Sequence, residues 1–212
     1  MPDALFSQLA VEVERTLTSA EPAHDYSHVQ RVVETARKLA IHEDADLVTC
    51  ETAALLHELV NLPKLHPDSA RSGDFCAEAA ESLLKRLGAA SQLTESVGRC
   101  IRVHAYSSGR AAETLEAQIL QDADRLDAIG AIGIARCFAT CASMGRPLYS
   151  SEDPFCDERT PNDKLWGLDH FQTKLLRIPE RLHTTEARRI AAGRIEFLRA
   201  YLAQLREELK AE

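Results

Sequence analysis

Residues 53–60 read Ala-Ala-Leu-Leu-His-Glu-Leu-Val, an apolar run broken only by His57 and Glu58. This stretch limits what the chain can fold into. The spacing predicts a helix over residues 46–59 that is apolar on most of its faces, and such a helix sits at the centre of a domain. An imidazole and a carboxylate carried into that position are costly unless something pairs with them. A divalent metal suits both groups at once. The alternative from these two residues alone is a histidine at a helix C-terminus beside an exposed glutamate.

The periodicity is helical almost throughout, and strand alternation is missing. Val29, Val32, Val33, Ala36, Leu39 and Ala40 follow the three-four spacing of an amphipathic helix, with Asp25 or Ser27 as its cap. Pro63 and Pro67 mark a loop over 61–67. A helix over 68–87 follows, with Gly88 suited to its C-terminal cap. Leu93, Val97, Cys100, Ile101 and His104 form the stripe of the next helix. Another begins near Ala112 and is expected to continue through Ile134 and Phe138. Residues 145–163 carry Pro147, Pro154 and Pro161 and read as a long surface loop, a candidate lid. A helix over 165–176 and a long final helix from about Thr184 complete an all-α bundle.

The chain has 212 residues, 45% of them hydrophobic, which suffices for one core and makes 1–212 a single domain. Its net charge of -8 argues against non-specific binding to a nucleic-acid polymer, though a local basic pocket for phosphate remains compatible with it. No run of about twenty apolar residues is present to cross a membrane. Residues 1–10 lack the basic lead and long apolar core of a secretory signal. The six cysteines form no Cys-x-x-Cys pair, and five fall inside predicted helices. They read as reduced, buried, small hydrophobes of a cytoplasmic protein.

Two further segments carry chemistry. In His24-Asp25-Tyr26-Ser27-His28 the two histidines are four apart on a helix start, and Val32 continues the stripe of His28 toward the core. A core histidine held by hydrogen bonds would look the same. In Gln121-Asp122-Ala123-Asp124-Arg125-Leu126-Asp127, Asp124 and Asp127 share a face that Ala131, Ile134 and Phe138 extend. Acids pointing inward need a cation or hydrogen-bond donors, and Arg125, Arg136 or a helix N-terminus are the alternatives to a metal.

The order His, His-acid, Asp over separate helices resembles the HD-domain superfamily of metal-dependent phosphohydrolases. The matching pieces are His24-Asp25-Tyr26-Ser27-His28, Leu55-Leu56-His57-Glu58 and Ala123-Asp124-Arg125-Leu126-Asp127. Further similarity runs through Val103-His104-Ala105-Tyr106-Ser107, residues 130–136, Gly145-Arg146-Pro147-Leu148-Tyr149 and Lys174-Leu175-Leu176. The resemblance covers nearly the whole chain and implies a helical bundle of the HD-domain type. It also implies His28, His57, Glu58 and Asp124 as metal ligands. Glu58 stands where the family signature has aspartate. Its extra methylene extends the carboxylate by roughly 1.5 Å, so it binds directly from a shifted backbone or through a water. Asn61 stands where many hydrolytic members carry an acid.

Two imidazoles and two carboxylates suit Mn²⁺, Fe²⁺, Co²⁺, Ni²⁺ or Zn²⁺. The expected reaction is hydrolysis of a nucleotide, at a phosphomonoester or with release of pyrophosphate. The expected step is in-line attack on phosphorus by hydroxide held on the metal. Lys64, His66, Arg125, Arg136 and Arg146 are candidate clamps for phosphate oxygens, each of them otherwise a solvated or paired charge. Lys64 follows the His-Glu pair closely enough to act in catalysis. His104 is a candidate to bind phosphate or donate a proton, and Asp127 to orient water, or equally to hold Arg125 or a ligand histidine. The expected partner is a small-molecule phosphate ester or nucleotide, and a homodimer is compatible with the sequence. Two other functions fit less of it. One is a metal- and nucleotide-binding protein with little or no turnover, which Glu58 and Asn61 motivate. The other is a di-iron oxygenase, for which His104 is the only obvious extra ligand.

Overall fold

The structure, a computed structural model, describes residues 2–17, 25–60, 62, 66–68, 71–104 and 109–210. His24, Asn61, Lys64 and the segment Ala105-Tyr106-Ser107 lie outside the described residues. The architecture is all-α, as the periodicity requires. The chain divides into two compact units, Met1–Asp124 and Arg125–Glu212.

The first unit is built around α3, Leu47–Leu56, which packs against α1 (Pro2–Thr16), α2 (Tyr26–Glu43) and α5 (Ser91–Val103). Thr49, Cys50, Thr52, Ala53, Ala54, Leu55 and Leu56 are all buried. Burying a leucine there contributes about 2 kcal/mol, so an apolar decapeptide has no stable place except the centre. Asp46 starts α3 by accepting the N–H of Val48 at 3.1 Å and the Thr49 hydroxyl at 2.6 Å. α3 ends three residues earlier than the pattern suggests. Leu59 N–H donates to Leu56 O at 3.2 Å, so His57 and Glu58 lie on a turn rather than inside the helix.

α2 buries His28, Val29, Val32, Val33, Ala36, Leu39 and Ala40, the stripe expected of it. Asp25, not Ser27, is the cap: its Oδ1 accepts the His28 N–H at 2.9 Å. α1 has no counterpart in the sequence reading. It buries Leu9 and Val13, four residues apart on one face, and packs on α3. α4, Ser72–Arg86, packs along α5, and Gly88 follows it with φ +75°, the left-handed conformation of a helix C-cap. The long helix expected from Ala112 to Phe138 is instead two, α6 (Leu115–Asp127) and α7 (Gly130–Ser143). Ala128 N–H and Ile129 N–H fold back onto Arg125 O and Leu126 O at 3.2 Å each. Gly130 then takes φ +78°. The surrounding alanines and isoleucines conceal this break from a periodicity count.

In the second unit α7 packs against α9, Thr185–Glu208. Phe138, Phe171 and Tyr201 form its aromatic core, the rings of Phe171 and Tyr201 stacked at 6.0 Å. Thr184 caps α9. The helix expected over 165–176 is reduced to α8, Asp169–Thr173, and a 3-10 turn over Leu175–Arg181. The proline-rich segment before α8 is helix-free but closely hydrogen-bonded. Asp153 accepts the backbone N–H of Asp157 and Glu158 at 2.9 Å each and of Arg159 at 3.1 Å. Arg159 forks onto fully buried Asp169 at 2.5 and 2.6 Å.

Candidate metal centre

Three elements of the first unit deliver the site. α2 supplies His28, the turn after α3 supplies His57 and Glu58, and α6 supplies Asp124. His28, His57 and Glu58 offer ligand atoms that all lie within 4.8 Å of one another. The Nε2 atoms of His28 and His57 are 3.3 Å apart. Glu58 Oε1 stands 3.9 Å from each of them. Asp124 Oδ1 is 3.6 Å from His28 Nε2. An ion that holds donors at roughly 2.1 Å places cis donors about 3 Å apart and trans donors about 4.2 Å apart. These separations fall in that interval, so His28, His57 and Glu58 fit a single divalent ion, with the Asp124 carboxylate beside His28.

The histidine tautomers favour the same reading. The carbonyl of Ala54 can only accept, so His57 Nδ1 at 2.6 Å from it carries the proton and donates. Neutral His57 therefore presents a lone pair at Nε2 toward His28 and Glu58. Burial is the largest influence on this ring; with His28 and His104 acting in the same sense and Glu58 and Asp124 in the opposite one, its pKa is pushed down to about 4. The ring is thus neutral at physiological pH, the form that binds metals.

Burial grades across the site. His28 and His57 have no exposed side-chain surface, Glu58 has 9% and Asp124 has 23%, so solvent reaches the cluster on the Asp124 side. Among the acids of α6, spacing pointed Asp124 and Asp127 inward and said nothing of Asp122. Asp122 is fully buried and Asp127 nearly so, whereas Asp124, the one beside His28, is half-buried.

His104 closes α5 and repeats the geometry of His57. Its Nδ1–H donates to Ile101 O at 2.6 Å, and its ring meets the His57 ring edge-on at 5.4 Å. His66 is exposed, and its Nδ1 accepts the Asp68 N–H at 3.1 Å. The other candidates belong to the second unit. Arg136 donates to Asp127 Oδ2 at 2.9 Å. Arg125 donates to Arg181 O at 2.5 Å and contacts His183 Nε2 at 3.1 Å. Arg146 donates to Asp163 O at 2.7 Å. Asp127 thus holds Arg136, one of the partners that the sequence offered for the inward acids as an alternative to a metal.

Two side chains that touch the His57 turn escaped the sequence reading. Cys76 Sγ–H reaches His57 O and Leu56 O, and Ser72 Oγ meets Leu62 N–H and Val60 O. Their four-residue spacing on α4 is the only trace either leaves in the sequence. Burial pushes the Cys76 thiol up to about 12, so it keeps its proton and remains a donor. Four of the other cysteines are buried as expected, and Cys156 is half-buried.

Known proteins match this chain over nearly its full length. YpgQ of Bacillus subtilis strain 168 is 34% identical over 206 residues, 95% of this chain and 92% of that protein. The crystal structure of Bacillus subtilis YpgQ in complex with ADP aligns at a TM-score of 0.78 and 31% identity, covering 99% of this chain and 97% of the other. An HD-superfamily hydrolase from Bacillus thuringiensis aligns at 0.77 and 27% identity over the whole of both chains. The HD-domain family profile matches residues 25–129, the span that holds His28, His57, Glu58, His104 and Asp124. With that match, and with relatives of this identity and coverage, the chain belongs to the HD-domain superfamily.

Proposed function

We propose that this protein is a divalent-metal-dependent phosphohydrolase acting on a nucleotide, with His28, His57, Glu58 and Asp124 as the metal ligands. The observation that carries the reading is the cluster of His28, His57 and Glu58 ligand atoms 3.3 to 3.9 Å apart, with Asp124 Oδ1 3.6 Å from His28 Nε2. A mixed nitrogen-oxygen donor set suits Mn²⁺, Fe²⁺, Co²⁺, Ni²⁺ or Zn²⁺. Such an ion supplies Lewis-acid charge to a phosphoryl oxygen and lowers the proton affinity of water at neutral pH.

The chain's own residues do the rest. Ala54 O and Ile101 O fix the tautomers of His57 and His104, so both Nε2 atoms present lone pairs. His57 would hold a bound ion through that lone pair. His104 is left to accept a proton at Nε2 or, once protonated, to donate one to a phosphate oxygen. Two charges from Glu58 and Asp124 offset a divalent cation, and the half-buried flank at Asp124 admits substrate. The nucleotide preference draws support from the ADP complex of YpgQ. His66 and Lys64, a few residues beyond the His57 turn in sequence, are the nearest candidates to meet its phosphates.

The test is to load the protein with each metal, incubate it with a nucleotide panel, and assay phosphate and pyrophosphate. Asp124→Ala should lose the bound ion and the activity while keeping the helical circular-dichroism spectrum. Unchanged metal stoichiometry in Asp124→Ala overturns the ligand assignment. Metal binding without product above a His57→Ala control favours the binding-only reading instead.

A further inference from the structure

His57 and Glu58 lie beyond the end of α3, so the helix hydrogen-bond ladder does not hold their backbone. Some other group must, because a metal site tolerates displacements of only about half an ångström. One face of α4 meets this turn. Cys76, fully buried, approaches His57 O at 3.1 Å and Leu56 O at 3.4 Å. Ser72, one helical turn earlier, accepts the Leu62 N–H at 3.2 Å and lies 3.5 Å from Val60 O. Together these two side chains touch the backbone of the turn on both sides of Glu58. The last carbonyls of a helix have no partner within it. Leu56 O accepts the Leu59 N–H, and the carbonyl of His57 finds the Cys76 thiol.

We propose that Ser72 and Cys76 are positioning residues that clamp the His57–Glu58 turn from α4 and so set where the His57 Nε2 and the Glu58 carboxylate stand. This rests on the metal reading given above. The clamp also accounts for a glutamate in place of the shorter acid. A turn anchored through its carbonyls fixes the Cα of Glu58, and the longer arm brings Oε1 to equal distances from the two histidines. The thiol donates to a turn carbonyl and its sulfur accepts from the Val60 and Leu59 N–H groups, so a hydroxyl can replace it and an isosteric apolar side chain cannot.

The experiment compares Mn²⁺ binding, by calorimetry and by the spin-resonance signal of free Mn²⁺, in the wild type, Cys76→Val, Cys76→Ser and Ser72→Ala. Outer partners of metal ligands typically contribute about 10- to 100-fold in affinity. Cys76→Val should therefore bind Mn²⁺ at least about tenfold more weakly, Ser72→Ala should also be weakened, and Cys76→Ser should stay close to the wild type. Melting temperatures and circular dichroism record whether each variant folds. If Cys76→Val does not fold, Ser72→Ala and Cys76→Ser carry the comparison. Wild-type affinity in Cys76→Val or Ser72→Ala overturns the clamp, as does equal loss in Cys76→Ser and Cys76→Val. A wild type that binds no Mn²⁺ sinks the metal reading, and the clamp is then judged in the ion-free protein from the ¹⁵N shifts of the His57 ring. A single Nδ1-protonated tautomer in the wild type that becomes mixed in Cys76→Val supports it. An unchanged ring overturns it.

Discussion

Acidifying the chelator-treated protein should expose the burial of His57 as a loss of stability. Its ring has a pKa of about 4 in the fold and 6.5 as an ordinary histidine. Between those values the unfolded chain takes up a proton that the folded chain refuses, so unfolding is favoured as pH falls. The contribution is fully present above pH 6.5, is lost as pH falls through that window, and is gone by about pH 4. At about 1.4 kcal/mol per pH unit, the window amounts to about 3 kcal/mol, a large share of the total stability of a domain this size. The assay is urea denaturation followed by circular dichroism at pH values from 7.5 to 4.5, for the wild type and His57→Gln. Carboxylates titrate near the lower end in both proteins, and the difference between the two curves isolates the ring. The wild type should lose about 2 to 3 kcal/mol more than the variant over this range. Equal losses would mean that the imidazole is not held neutral in the core, and the lone-pair argument for the metal centre would fail with it.

Glu58→Asp, which restores the residue usual in the family signature, should weaken Mn²⁺ binding in this protein by about tenfold or more, because it withdraws an oxygen now 3.9 Å from both histidines. Equal or tighter binding by calorimetry would show that the turn adjusts to the shorter arm. Asp46→Ala removes the acceptor for Val48 N–H and the Thr49 hydroxyl at the start of α3 and should cost about 1 kcal/mol in urea denaturation; an unchanged midpoint refutes the cap. Arg159→Ala leaves the fully buried Asp169 carboxylate without its guanidinium. It should cost about 3 kcal/mol or more, read as a fall in melting temperature that a loop of no structural weight would not produce.

Much of the first unit is legible in the sequence because its signals are local. The stripe from Val29 to Ala40 and the apolar decapeptide of α3 each follow from the helical repeat and the transfer of carbon from water. The missed features have equally specific causes. The buried face of α1 rests on little more than Leu9 and Val13, too few positions to register as a stripe. The break between α6 and α7 needs one left-handed residue, Gly130, in a stretch whose composition is helical on both sides. The full burial of Asp122 and the half-burial of Asp124 were not legible, because a spacing rule gives the angle around a helix axis and not what the helix faces.

The sequence alone determined that the chain is helical, that α3 is central, and that a histidine and an acid at the end of α3 demand a partner. Periodicity and desolvation are properties of a segment and need no knowledge of its neighbours. Only the tertiary structure decided that His28, His57 and Glu58 cluster with Asp124 beside His28, that backbone carbonyls fix the tautomers of His57 and His104, and that a thiol and a hydroxyl from α4 reach the backbone of the His57 turn. These are distances between residues far apart in the chain, and they are set by how helices pack, which no local pattern encodes.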